Sequence, residues 1–137
     1  MKQQLTILKV GGKIVETPAL LQQLLTDFAQ IEGRKILVHG GGRTATDMAT
    51  RLGIETHMVD GRRITDADML RVVTMVYGGL VNKTLIAQLQ SRGVNAIGLT
   101  GADMNVIRSH RRPLKNGIDY GLSLIHISEP TRRVVIS

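Results

Sequence analysis

Lys35-Ile36-Leu37-Val38-His39-Gly40-Gly41-Gly42 is the stretch that decides the fold. An apolar run short enough for a buried strand leads into three residues without a Cβ. Such residues let backbone N–H groups approach an anion closely. A helix starting just beyond them adds unsatisfied donors and a positive dipole end. The same construction occurs earlier, where Leu5-Thr6-Ile7-Leu8-Lys9-Val10 runs into Gly11-Gly12-Lys13. Two strand-then-glycine junctions, with Lys9 on the first, point to a site that grips a phosphate and an acidic small molecule.

Outward from these junctions the chain alternates strand and helix. Thr17-Pro18 opens a helix, with Thr17 as N-cap, and Leu20, Leu21, Leu24, Leu25 and Phe28 make its apolar face. Gly33 stops it. Thr44 to Leu52 reads as the next helix, closed by Gly53. Glu55 to Ile64 reads as extended and broken by Asp60-Gly61, a hairpin signal. Thr65 caps a long helix from Asp66 to about Ser91, which Gly78-Gly79 bends or opens to close packing. Val94 to Leu99 is expected as a third core strand. Thr100 to Asp103 is a turn, and a smaller hairpin runs from Met104 to about Tyr120. The alternation predicts an α/β fold with a largely parallel sheet.

Composition narrows the function. A length of 137 residues suits one domain with a modest core. The absence of cysteine excludes disulfides and thiolate metal sites, and agrees with a cytoplasmic location. No apolar run approaches the roughly 20 residues that span a bilayer. The net charge of +7 is spread out. Only Arg108 to Lys115 is a basic cluster, and it lacks the stacking aromatics that single-stranded nucleic acid wants. Nucleic acid and membrane are therefore not expected partners. The four histidines lack metal-ligand spacing, so no metal ligands are assigned.

His39-Gly40-Gly41-Gly42 admits several chemistries. An oxyanion hole of the α/β-hydrolase kind would need a G-x-S-x-G elbow, which the chain lacks. A P-loop is absent as well. Gly40-x-Gly42-x-x-Ala45, with Asp60 further on, formally fits a dinucleotide fingerprint. A third reading is an anion cradle built from the Gly41 and Gly42 amides, and the plain alternative is a tight strand-to-helix turn that binds nothing. Lys9, at the end of a strand read as buried, needs an anion for its ammonium, either a structural salt bridge or the charge on a phosphoryl group in transfer. Of Arg62 and Arg63, adjacent on an extended stretch, only one faces a given site. That one can hold a carboxylate bidentately.

The ordered set Leu8-Lys9-Val10-Gly11-Gly12, Val38-His39-Gly40-Gly41-Gly42, Gly61-Arg62-Arg63-Ile64-Thr65, Val81-Asn82-Lys83 and Gly98-Leu99-Thr100-Gly101-Ala102-Asp103 resembles the amino-acid kinase family. The resemblance covers residues 5 to about 121. Its G-R-R-I-T segment favours the branch that acts on N-acetyl-L-glutamate in arginine biosynthesis. The resemblance implies the N-terminal half of a three-layer αβα sandwich with a mostly parallel sheet. It also implies transfer of the γ-phosphoryl of ATP, with Mg2+, to the side-chain carboxylate of N-acetyl-L-glutamate or another N-acyl-glutamate. By that resemblance Lys9 is catalytic, Gly11 and Gly12 lie near the phosphates, Gly41 and Gly42 bind the reacting end, and Arg63 holds the α-carboxylate while Arg62 points away. The nucleotide is held mainly by a C-terminal half that the pattern does not reach, so the chain alone is expected to be inactive. A homo-oligomer is implied for the full-length enzyme.

Residues 1–121 are thus expected to form the acyl-glutamate-binding part. Residues 122–137 read as a non-native tail, because Leu122 to Arg132 looks like an in-frame translation of adapter DNA. Two rival readings keep the same residues. One is a non-catalytic module that binds acidic metabolites without ATP. The other is a Rossmann-type NAD-binding piece built on Gly40, Gly42 and Ala45.

Overall fold

β1 (Leu5–Lys9) and β2 (Arg34–Val38) pair in parallel, with Leu5 opposite Arg34 and Lys9 opposite Val38. A computed structural model describes residues 4–107, 109–111, 113–114, 116–122 and 124–126. α1 (Gly12–Val15) and α2 (Pro18–Gln30) connect the two strands, as a parallel pair requires a crossover. Thr17 does precede α2, but its hydroxyl donates to the Lys13 carbonyl at 2.7 Å and caps nothing in α2. Leu21, Leu25 and Phe28 are buried, whereas Leu20 is exposed. The other end of α2 is closed from β2. Lys35 Nζ donates to the carbonyls of Phe28, Ala29 and Ile31 at 2.7–3.0 Å, satisfying acceptors that the helix leaves open.

α3 (Gly42–Arg51) starts two residues before the expected Thr44, because the glycines themselves enter the helix. β3 (Met58–Val59) and β4 (Arg62–Arg63) then form an antiparallel hairpin. Its turn, Asp60-Gly61, has φ of 50° and 71°, the left-handed pair that a two-residue hairpin needs.

The long helix runs unbroken through 24 residues, Ala67–Gln90. It is α4 (Ala67–Val73), a π-helical segment (Thr74–Val81) and α5 (Asn82–Gln90). Its N-cap is Asp66, not the neighbouring Thr65: Asp66 Oδ1 accepts the Met69 N–H at 2.7 Å. Thr65 is instead buried and bridges to Gly121. Gly78-Gly79 falls inside the π-helical turns, and the missing side chain at Gly78 admits Thr100, whose methyl would lie 3.0 Å from a Cβ there. This helix is long and apolar enough to cross a bilayer by length and composition, although charged residues interrupt its apolar runs. Yet Met69, Val72, Val76, Val81, Leu85 and Leu89 are buried in one core with Val10, Leu21, Leu25, Phe28, Leu37, Ala45 and Ala49.

Val94 to Leu99, expected as a strand, has no ladder among the described residues. Side chains from α5 take its carbonyls instead: Gln90 donates to Ala96 and Lys83 to Gly98. Asp103–Asn105 is a short 3-10 turn in place of the start of a hairpin. β5 (Ser109–Arg111) pairs antiparallel with β6 (Leu124–His126), so part of the tail read as foreign supplies a strand. Ser123 and residues 127–137 of that tail lie outside the described residues. The architecture is α/β with a parallel strand pair.

Candidate functional site

The parallel register brings the two glycine junctions to one end of the sheet. Lys9 is the partner of Val38, and the Val10 N–H donates to the Val38 carbonyl at 2.8 Å. Gly11 and Gly40 therefore each lie two residues beyond the same rung. Ligands of α/β sheets bind at this end, beyond the carboxyl ends of the strands.

Lys9 departs from expectation in its burial. β1 has β2 as its neighbour and alternates along its length. Thr6, Leu8 and Val10 turn toward the core, while Leu5, Ile7 and Lys9 are exposed. Lys9 thus needs no internal anion, and it makes no ion pair among the described residues. Its ammonium is accessible at the strand end. Gly11 is the N-cap of α1 and Gly12 its first residue. A Cβ on Gly11 would meet nothing within 4 Å, so the surface over this turn is open.

Gly41 is the N-cap of α3 and Gly42 its first residue. Gly41 is buried under the long helix: a Cβ there would lie 3.0 Å from the Tyr77 ring and 3.3 Å from Val81. The α3 N-terminus already holds one anion of the chain. Glu16 Oε1 accepts the Thr44 N–H at 2.9 Å and the Thr44 hydroxyl at 3.2 Å, and Oε2 lies 3.7 Å from Arg43 Nε. Glu16 takes the third-position donor and leaves the Gly42 N–H without a partner among the described residues. Its part was missed in the sequence because 28 residues separate it from Thr44.

Arg62 is exposed and Arg63 half-buried, as alternation on β4 requires. Arg63 Nη2 donates to the Gly42 carbonyl at 2.8 Å and to the Thr46 hydroxyl at 2.6 Å. Its Nε and Nη1 are buried and have no hydrogen-bond partner among the described residues. A buried donor left unpaired costs about 1–3 kcal/mol, more when charged. Asp60 lies at the exposed tip of the β3–β4 hairpin and not at a strand end beside the glycines. It is misplaced for the ribose contact of a dinucleotide fold.

A polar network behind the glycines was not foreseen. Buried Asn82 stands 3.3 Å from His39 Nε2 and accepts from Lys83 Nζ at 3.1 Å. His39 Nδ1 contacts the Gly40 carbonyl at 2.9 Å. Farther along, the Thr100 N–H and hydroxyl both donate to Asp103. These bonds, the backbone one first and aided by the charge of Lys83, hold the Asp103 carboxyl below its ordinary range. No group of three or more His, Asp or Glu gathers as for a metal among the described residues.

Residues 4–134 match the amino acid kinase family. Acetylglutamate kinase of Bacteroides fragilis is 70% identical over 121 residues, which are 88% of this chain and 46% of that protein. Acetylglutamate kinase of Phocaeicola vulgatus is also 70% identical over 121 residues, 88% of this chain and 47% of that protein. The chain spans about half the length of the curated relatives it matches. Among solved structures, N-acetylglutamate synthase from Neisseria gonorrhoeae, complexed with coenzyme A and N-acetyl-glutamate, superposes with a TM-score of 0.70. That match has 21% identity and covers 90% of this chain and 28% of the synthase chain, a likeness of fold.

Proposed function

The chain belongs to the amino acid kinase family, and on that premise we propose that residues 1–121 are the N-acyl-glutamate-binding part of an acetylglutamate kinase. The reaction transfers the γ-phosphoryl of ATP to the side-chain carboxylate of N-acetyl-L-glutamate and forms an acyl phosphate. The identity of 70% to acetylglutamate kinases supports the substrate class. The observation that carries the site is Arg63, with Nε and Nη1 buried and unpaired among the described residues beside the first turn of α3. A carboxylate is the ligand that would satisfy those donors.

In this reading Arg63 takes the α-carboxylate, and the Gly41 and Gly42 amides take the reacting carboxylate at the α3 N-terminus. Lys9 reaches the transferring phosphoryl group from the open face of β1, and Gly11 and Gly12 lend backbone donors to the phosphates. Phosphoryl transfer asks for positioning and charge neutralisation, and these residues offer both. Mg2+ would neutralise phosphate charge when bound with ATP. With no carboxylate cluster for it among the described residues, the nucleotide phosphates and the remainder of the enzyme would carry it. The three-layer sandwich, a cytoplasmic location and a homo-oligomer belong to the same proposal for the full-length enzyme.

The test has two stages. Isothermal titration of the chain with N-acetyl-L-glutamate should show binding that free glutamate does not match. The chain joined to the C-terminal portion of the Bacteroides fragilis relative should then form an acyl phosphate, trapped with hydroxylamine, only with ATP present. Binding without any transfer in the joined protein would favour the non-catalytic module, and NAD binding would favour the dinucleotide reading.

A further inference from the structure

We propose that Asn82 is a positioning residue that aims the Gly41 N–H, acting through His39. The consequence for ligand binding rests on the function proposed above, whereas the geometry stands by itself.

Asn82 is 1% exposed, at the point where the π-helical segment gives way to α5. A buried amide must have its polar atoms satisfied. Lys83 Nζ lies 3.1 Å from Asn82 Oδ1 and 2.9 Å from the Gly98 carbonyl. An ammonium can only donate, so the atom of Asn82 facing it must be the oxygen. The amide nitrogen is then turned to His39, 3.3 Å from Nε2. That nitrogen also only donates, so Nε2 accepts. The other ring nitrogen, Nδ1, lies 2.9 Å from the Gly40 carbonyl, which only accepts. The His39 proton therefore sits on Nδ1. The bonds run in one direction, from Lys83 through Asn82 and His39 to the carbonyl of Gly40.

The end of that chain matters because a peptide unit is planar and trans. Holding the Gly40 C=O toward His39 points the Gly41 N–H the opposite way. The Gly41 amide is one of the donors assigned to the reacting carboxylate. Asn82 has no freedom to move aside: a Cβ on Gly98 would lie 2.0 Å from its Oδ1, so segment 94–100 closes tightly on the amide. Tyr77 and Val81, from the preceding turns of the same helix, press on Gly41 itself. The helix thus fixes the glycine turn at two adjoining peptides.

The experiment uses the 137-residue chain labelled with 15N, alongside Asn82→Asp, which keeps the side-chain size. Imidazole spectra of the unmodified chain at pH 7 should show His39 with a pyrrole-type Nδ1 and a pyridine-type Nε2. In Asn82→Asp the atom facing Nε2 can only accept, so His39 should gain a second proton or leave this arrangement. The Gly41 amide should shift while those of Leu25 and Phe28 stay in place. Affinity for N-acetyl-L-glutamate should fall about tenfold. A proton on Nε2 in the unmodified chain overturns the proposal, and so does a Gly41 amide that Asn82→Asp leaves unmoved. The tautomer alone decides if the variant does not fold. If the unmodified chain binds no N-acetyl-L-glutamate, the substrate assignment falls, and the tautomer and the Gly41 amide still decide the role of Asn82.

Discussion

The Glu16 carboxylate fastens to the backbone of Thr44 at 2.9 Å, joining the helix that follows the first glycine junction to the helix that follows the second. It acts as a cap borrowed from another segment. An anion at the first turn of a helix is favoured by the orphan N–H groups and the dipole together. Glu16→Ala removes both contributions and should cost about 1 kcal/mol of stability. Glu16→Gln keeps an acceptor without the charge and should cost about half of that. Urea unfolding of the three chains tests the ordering. Equal losses in the two variants would mean that charge alone matters.

Arg63 and Arg62 should separate cleanly. Arg63→Ala removes buried donors beside Gly42, and should weaken binding of N-acetyl-L-glutamate by about 2–3 kcal/mol, roughly 30- to 150-fold. Arg62→Ala removes an exposed side chain and should change affinity less than about twofold, within the range of a screened surface charge. Titration calorimetry reads both. Similar effects from the two arginines would place the carboxylate elsewhere.

Two glycines that look alike in sequence should behave differently. A Cβ on Gly98 would meet Asn82 Oδ1 at 2.0 Å and Ile86 at 2.8 Å, so Gly98→Ala forces a shift of packed groups. It should cost about 1–3 kcal/mol. A Cβ on Gly40 would meet nothing within 4 Å, so Gly40→Ala should leave stability within about 0.5 kcal/mol. Thermal unfolding distinguishes them, and a damaging Gly40→Ala would reveal a backbone demand that the geometry does not contain.

The Asp103 carboxyl lies below its ordinary value of 3.8, chiefly because the Thr100 N–H and then its hydroxyl donate to it. A depressed carboxyl stabilises the fold above the unfolded value and loses that contribution as pH falls through the folded one. The chain should therefore be more stable than Asp103→Asn at neutral pH, and the difference should shrink in acid as the carboxyl is protonated. Denaturation at neutral and acid pH gives the comparison. A difference that persists in acid would trace to shape and not to charge.

How much of this was legible in the sequence depended on how local each signal was. The runs ending at Lys9 and Val38 announced their strands, and Asp60-Gly61 its hairpin, because apolar runs and left-handed turns are written in adjacent residues. The alternation of Arg62 and Arg63 was readable for the same reason. Glu16, Asn82 and the exposure of Lys9 were not, since each depends on what a distant segment brings. Val94 to Leu99 shows the limit most plainly. Its composition suits a strand, but a strand exists only where a neighbour supplies a ladder, and here side chains of α5 take the carbonyls. Asp66 displaced Thr65 as cap because both side chains suit the role, and Thr65 was drawn into its bridge with Gly121.

Lys9 offers the sharpest separation of stability from chemistry. It is exposed on the open face of β1 and makes no ion pair among the described residues, so folding gains little from its charge. Lys9→Ala should leave the unfolding midpoint within about 0.5 kcal/mol of the parent. Binding of N-acetyl-L-glutamate should also persist, because the carboxylate donors lie on α3 and β4. In the chain joined to a C-terminal half, however, the rate of acyl-phosphate formation should drop about 100- to 1000-fold, as when one preorganised charge partner of a transition state is removed. Lys9→Arg should recover only part of the rate, since a guanidinium spreads its charge over a wider fork. A Lys9→Ala enzyme that turns over normally would remove this residue from the reaction while leaving the substrate site of Arg63 intact.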